Sequence, residues 1–292
     1  MTETCPPIAR PRRRGAEALA GLARLAEELT GIVLAPDRSA MLEARLGRRL
    51  RALALPDLSA YLGHLAAPEG RAEQAEFISA ITTNDSAFFR EPHHFALLRE
   101  TVLPPLLARA RAGGRVRLWS AGTARGQEAY SLAMLVLDLL PEAERLDIRI
   151  LATDIDERAL AAAREGRFAP AATAALPAEY AGRFLDRGPD WATPTPAVRA
   201  LVRLRRLDLH ADWPMKRLFD VIMCRNVAIY FGERTRARLW RRLAAALETD
   251  GHLFIGHSER IEPGSALPLV TAGPTCLRRS AGQDRQGGAE HP

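Results

Sequence analysis

Very little in this 292-residue chain points to a membrane, an oxidised compartment or a metal. No run approaches the roughly 18 to 20 consecutive apolar residues that cross a bilayer. The first residues, with Pro6, Pro7 and the cluster Arg12 to Arg14, lack the apolar core of a secretory signal. A cytoplasmic protein without membrane insertion is therefore expected. The three cysteines, Cys5, Cys224 and Cys276, are widely spaced and form no CxxC pair, which excludes a disulfide framework and a thiolate zinc site. Aromatic residues make up only 6% of the chain and do not interleave with the arginines, so base stacking on single-stranded nucleic acid has no sequence support. No oligomerisation motif or internal repeat is evident, and a monomer is the expectation.

What is abundant is apolar and basic. At 47% hydrophobic residues the chain can bury one large core or two modest ones. The balance of 41 basic against 35 acidic residues gives a net charge of +6, which favours acidic partners without choosing among them.

Two periodicities divide the chain. From Gly15 to about Thr82 apolar residues recur at three and four, as in Leu42, Leu46, Leu50 and Leu53, and predict about four helices. Breaks fall at Thr30-Gly31, Ala35-Pro36-Asp37 and Leu55-Pro56-Asp57, where each Asp can cap the next helix. From Arg115 onward β-rich runs (Val116–Ser120, Ile148–Thr153, Leu201–Leu207, Phe219–Cys224, His252–Gly256) alternate with helical stretches (Glu128–Leu140, Glu157–Glu165, Glu233–Leu247). That alternation predicts a mostly parallel sheet covered on both faces, with ligands beyond the strands' carboxyl ends. Residues 166–200, interrupted by Pro170, Pro177, Pro189, Pro194 and Pro196, read as a loop-rich insertion. Residues 1–13 and 281–292 have too little apolar content to order themselves and are expected to be disordered tails.

Four segments carry candidate chemistry. After the first strand, Ser120-Ala121-Gly122-Thr123-Ala124-Arg125-Gly126 leads into a helix opened by Gln127 and Glu128. Small residues there let a nucleotide approach the backbone, although the same turn can be only a turn. The second strand ends at Asp154, where a carboxylate can accept from both ribose hydroxyls; the alternative is that Asp154 or Asp156 caps the next helix. The strand Phe219–Cys224 runs into Arg225 and Asn226 and then Tyr230. Asn226 can offer a ligand both a donor and an acceptor, or the segment can be a satisfied turn with a core tyrosine. Before the sheet lies Thr83-Asn84-Asp85-Ser86-Ala87-Phe88-Phe89-Arg90-Glu91-Pro92-His93-His94-Phe95, in which Arg90 can pair a carboxylate in bidentate fashion. His93 and His94 are adjacent and cannot face one ion from a regular helix, so no metal is expected.

Taken in order, Thr83–Phe95, Trp119–Ser131, Ala152–Asp156, Phe219–Phe231 and Gly251–Glu259 resemble the chemotaxis receptor glutamate methyltransferases, the CheR family. The resemblance implies an α/β fold: a Rossmann-like methyltransferase domain over 83–280 with a small inserted β-subdomain at about 166–200, preceded by an all-α domain over 14–82. It implies S-adenosyl-L-methionine as methyl donor, with S-adenosyl-L-homocysteine as product. Family cofactor contacts carry over to Asn84, Ser86, Arg90, Glu128, Asp154, Asp208, Leu209, Arg225 and Asn226. Within that set Arg90 would pair the methionine carboxylate, Asp154 would hold the ribose, and Tyr230 would lie near the transferred methyl, making Arg90 and Tyr230 the catalytic candidates. The chain departs from the family pattern at Ser86, Arg125, Gln127, Asp208 and Ala228.

The implied acceptor is a glutamate carboxylate on the cytoplasmic helical domain of a methyl-accepting chemotaxis receptor. Arg38, Arg45 and Arg49, at i, i+7 and i+11, fall on one edge of a helix and are expected to steer such an acidic helix, the alternative being a solvated face. Two other functions follow from the basic charge and the altered motif residues: a methyltransferase for RNA or a small molecule, and a non-catalytic cofactor-sensing scaffold. Base amino-group methylation usually asks for Asn or Asp followed by Pro-Pro and an aromatic, and Asn226-Val227-Ala228-Ile229 has no such prolines.

Overall fold

A computed structural model describes residues 11–34, 39–174, 176–262 and 266–280. The chain divides between Thr83 and Asn84 into two compact units. The tails expected to be disordered lie mostly outside the described residues; Pro11 to Arg13 belong to the first helix.

The first unit holds four helices, α1 (Pro11–Thr30), α2 (Ser39–Ala52), α3 (Leu58–Ala66) and α4 (Arg71–Ile81). Their apolar stripes meet in one core containing Leu22, Leu42, Leu46, Tyr61, Leu65 and Phe77, none more than 4% exposed. Asp57 starts α3 as the sequence indicates, accepting from the Ala60 backbone N–H at 2.9 Å.

The second unit begins with α5 (Pro92–Leu97), a π-helical turn over Leu98–Val102 and α6 (Leu103–Arg111). Then follow β1 (Val116–Ala121), α7 (Gln127–Leu139), β2 (Ile148–Asp154), α8 (Glu157–Glu165), α9 (Pro170–Thr173), α10 (Ala178–Phe184), β3 (Leu185–Arg187), β4 (Ala192–Pro194) and α11 (Pro196–Leu201). The unit closes with β5 (Val202–Arg206), β6 (Phe219–Cys224), α12 (Glu233–Ala245), β7 (Leu247–Ile255), β8 (Leu269–Gly273) and β9 (Cys276–Arg279). The main sheet has the order β5-β2-β1-β6-β7-β9-β8, with its first five strands parallel and the last two antiparallel. Every residue of β6 is buried and all of β1 but Arg117, as expected of strands covered on both faces.

Strand order reverses between β1 and β6: from β1 the chain goes outward to β2 and β5, then returns to β1's other side. Such a switch point leaves a crevice at the strands' carboxyl ends, where open α/β sheets bind ligands. The insertion contains the small sheet inferred from resemblance, a two-stranded antiparallel β3–β4 pair, with short helices around it. The hairpin β8–β9 has no counterpart among the expected strands, because the flanking Pro268 and the turn Gly273-Pro274 mask the β pattern. No helix among the described residues is long and apolar enough to cross a membrane.

Candidate functional site

The residues singled out on four separate segments of the second unit converge at the carboxyl ends of β1, β2 and β6. Gly122 follows β1 with φ +83°, and a Cβ there would come within 2.3 Å of Val227 Cγ2. Only glycine lets the turn after β1 press against the turn after β6. Ala124, Asn226, Phe89 and Glu91 also hold positive φ, between +50° and +58°. Backbone strain of this kind concentrates around the crevice, a pattern typical of functional sites.

At the centre lies Arg225, 2% exposed in its side chain. Its Nε donates to Glu128 Oε2 at 2.7 Å, and its Nη1 donates to the Arg90 carbonyl at 2.5 Å. Glu128, in the first turn of α7, accepts from Ser120 Oγ at 2.6 Å, which ties the pair to β1. Glu91 Oε2 stands 3.6 Å from Arg225 Nη1 and is a buried oxygen without a hydrogen-bond partner; Glu91 Oε1 accepts from the His257 backbone N–H at 3.2 Å. Burial opposes the charge on Glu91, but the His257 contacts and Arg225 hold its carboxyl below the usual glutamate range.

Asp154 and Asp156 divide the two roles left open at the end of β2. Asp156 caps α8, accepting from Arg158 N at 2.9 Å and Ala159 N at 3.3 Å, and Asn84 Nδ2 donates to its other oxygen at 2.6 Å. Asp154 does not cap. Its oxygens accept from Ala124 N at 2.8 Å and Asp156 N at 2.9 Å, leaving a further acceptor position on each oxygen. Burial raises its carboxyl above the usual aspartate range. That cost without a compensating cation suits a carboxylate kept for hydroxyl donors.

Arg90 lies in the loop before α5, with Nη1 3.3 Å from the Asp85 carbonyl, and Ser86 sits half-buried in the same loop. The loop is anchored by Phe89 N donating to Ser131 Oγ at 2.9 Å, and by the Phe89 ring against Phe95 and Tyr180. Tyr230 is half-buried on the helical turn Ala228–Tyr230 that continues from Asn226. Beyond β5, Asp208 accepts from His210 N at 2.7 Å, and burial raises its carboxyl. The neighbouring Leu209 is buried, and its carbonyl accepts from Arg242 Nη1 at 2.9 Å while that guanidinium stacks 3.9 Å over Trp213.

Of the residues expected on the substrate edge, Arg38 lies outside the described residues. Arg45 and Arg49 do not stand free on α2. Arg45 Nη1 donates to the Ala80 and Thr82 carbonyls at 3.1 and 2.7 Å, closing the end of α4. Arg49 makes a two-point ion pair with buried Glu73, at 2.8 and 2.6 Å. The periodicity placed them on one flank but could not reveal partners 24 to 37 residues away.

His93 and His94 come closer than a regular helix suggested: their ring centroids are 4.2 Å apart, and ligand atoms of Glu91, His93 and His94 lie within 4.8 Å of one another. Arg225 Nη1 is already 3.3 Å from His94 Nδ1, so a cation there would compete with a guanidinium for the same atoms. Burial, then Arg225 and His93, push His94 down to about 4. It packs as a neutral ring with Nε2 2.7 Å from Thr275 Oγ1.

Sequence reasoning missed Glu91 and Glu259. Their partners lie across the fold, and the only available signal was their place inside the quoted motifs.

The model of the CheR methyltransferase all-alpha domain matches residues 17–82, and that of the CheR methyltransferase SAM-binding domain matches residues 84–270. The chain is 44% identical over 235 residues to a probable chemotaxis protein methyltransferase of Rhizobium etli, covering 79% of this chain and 88% of that one. It is 39% identical over 244 residues to chemotaxis protein methyltransferase 2 of Pseudomonas aeruginosa, covering 82% and 85%. The chemotaxis protein methyltransferase of Salmonella typhimurium is 38% identical over 249 residues, with 82% of each chain covered.

Proposed function

The chain belongs to the CheR methyltransferase family, and from that premise we propose that it esterifies glutamate side chains of chemotaxis receptors with methyl groups from S-adenosylmethionine. It is an S-adenosylmethionine-dependent methyltransferase acting in chemotaxis. The observation that carries the reading is the meeting of the buried Arg225–Glu128 pair, Asp154 and the Arg90 loop at one switch point.

The donor set fits this cofactor. Asp154, with acceptor capacity to spare on both oxygens, would take the ribose hydroxyls, and the turn at Gly122 allows close backbone approach. Arg90 would pair the amino-acid carboxylate, with Arg225 and Glu128 fixing the loop that carries it. Asn84, Ser86 and Asn226 would complete the polar lining, and Asp208 with Leu209 would border the adenine. Bound there, S-adenosylmethionine supplies an electrophilic methyl on a sulfonium.

The acceptor needs no general base, because a glutamate carboxylate is ionised at neutral pH and already carries the attacking lone pair. The protein's contribution is then geometric. Holding an acceptor oxygen about 3 Å from its target in the correct line, with water excluded, lowers a barrier by several kcal/mol. Tyr230 would border the acceptor, and Arg90 would hold the donor.

Steering of an acidic receptor helix is assigned to the basic flank of α2 in a revised form. Arg48 and Arg51 are exposed on α2, and Arg45 donates to neutral carbonyls. Arg49 is neutralised by Glu73 and adds little to that field.

The test is transfer of tritiated methyl from S-adenosylmethionine to receptor-containing membranes of the same organism, followed by alkaline release of methanol. Base-labile label that disappears in Arg90→Ala is the expected result. Cofactor binding with no base-labile label on any receptor contradicts the ester assignment.

A further inference from the structure

Glu259 is 2% exposed, and among the described residues it has no ion pair. Its Oε1 accepts from Val227 N at 2.9 Å and Ala228 N at 2.7 Å, and its Oε2 accepts from Asn226 N at 3.1 Å and Gly256 N at 2.5 Å. One carboxylate therefore gathers four backbone donors from the turns that leave β6 and β7. Helix ends and strand ends orphan such N–H groups, and burial makes an unsatisfied one costly.

Burial opposes a charge at this position. Burial raises the Glu259 carboxyl above its usual range, and the N–H donors, that of Gly256 foremost, offset this only in part. A folded-state value above the unfolded one means that ionisation opposes folding: the linked stability is full below the unfolded value and is lost as pH rises through the folded one. The other ionisable groups around these strand ends include the Arg225–Glu128 pair, the Glu91–His257 pair and the buried Cys224, whose thiol is pushed far up by burial and then by Glu259 and Glu128.

The geometry explains what the carboxylate holds. Asn226 has φ +58°, in the left-handed region that asparagine tolerates better than most residues, and its N–H is held by Glu259 Oε2. The turn it begins carries Tyr230, and Val227 from the same turn packs onto Gly122 of the turn after β1. Gly256 completes the clamp, because a Cβ there would lie 2.8 Å from both Asn226 N and Nδ2.

We propose that Glu259 is a positioning residue for the methyltransferase reaction, acting through the Asn226–Tyr230 turn to shape the cofactor crevice. The carboxylate supplies four acceptor directions where a glutamine would supply two and turn an NH2 group toward backbone donors. This uses cofactor binding alone, so the outcome of the methyl-ester experiment is a separate result.

The experiment titrates S-adenosylhomocysteine into full-length wild-type protein, Glu259→Gln and Glu259→Asp by calorimetry, reading Kd and binding stoichiometry separately. Positioning predicts full stoichiometry with Kd raised at least about tenfold in Glu259→Gln, as for displaced site geometry, and a smaller rise in the charge-conserving Glu259→Asp. Should Glu259→Gln not fold, Gly256→Ala strains the same turn from its other side and is expected to raise Kd likewise. A Kd within about twofold of wild type, or reduced stoichiometry with unchanged Kd, overturns the proposal, since a purely structural role lowers only the amount of competent protein.

Discussion

Each unit contains an arginine–glutamate pair with a tyrosine or histidine beside it, half-buried at Arg49 and fully buried at Arg225, and the two pairs are built to different ends. In the helical unit, Glu73 accepts from Arg49 at two points and from Tyr61 Oη at 2.8 Å. Burial works against its charge, yet these bonds hold its carboxyl below the usual range. Arg49 Nη1 also stands 3.5 Å from Glu76 Oε2. In the sheet unit, Arg225 spans Glu128, Glu91 and the Arg90 carbonyl, but Glu91 Oε2 has no hydrogen-bond partner and four non-glycine residues nearby hold positive φ. The same ionic chemistry serves packing on the helices, and points to a ligand where it lies at strand carboxyl ends among residues of positive φ.

The comparison can be broken most sharply at the two arginines. Arg225→Met leaves Glu128 and Glu91 buried without a cation and frees the Arg90 loop. Its affinity for S-adenosylhomocysteine is expected to fall more than about a hundredfold. Arg49→Met is expected to cost about 1 to 2 kcal/mol of stability, below the cost of breaking a fully buried pair because Arg49 is partly exposed, with Kd unchanged in the folded protein. Calorimetry and thermal melts on both variants separate these outcomes.

A step smaller is Asp154→Asn. The amide loses an acceptor at the ribose position, and Kd is expected to rise about tenfold or more. The amide NH2 would also face the Ala124 or the Asp156 N–H, so a moderately lowered melting temperature is expected beside the weakened binding. A variant that binds normally but melts early would assign Asp154 to the fold.

Arg90→Lys keeps the charge and removes the planar fork. It is expected to raise the KM for S-adenosylmethionine about tenfold, since a point charge cannot pair a carboxylate at two points.

The smallest effect is one of pH. Glu73 has a folded-state value below 4.5, so its contribution is fully present above 4.5 and is lost as pH falls through the lower folded value. The melting difference between wild type and Glu73→Gln should therefore be largest near pH 6 to 7 and shrink on acidification below about 4.5.

Legibility in the sequence followed the range of the interactions. β6 was read to the residue and α8 likewise, because each is set by local periodicity and caps. β7 starts at Leu247, five residues before the expected His252, because Leu247 pairs with Phe219 ahead of a register shift that the sequence does not reveal. Arg225 and Glu128 were singled out on separate motifs, but their bond joins residues 97 apart and no spacing rule connects them. The same limit hid Glu73 behind Arg49 and Glu259 behind Asn226. Residue type and order gave the ligand class; only the folded chain showed which charges are spoken for.

The most direct test of this contrast is a paired titration of S-adenosylhomocysteine into Glu73→Gln and Glu128→Gln, each held well below its melting temperature. The account predicts wild-type Kd with a lowered melting temperature for Glu73→Gln, and lost or severely weakened binding by folded Glu128→Gln. Weakened binding in the first with normal binding in the second would contradict it.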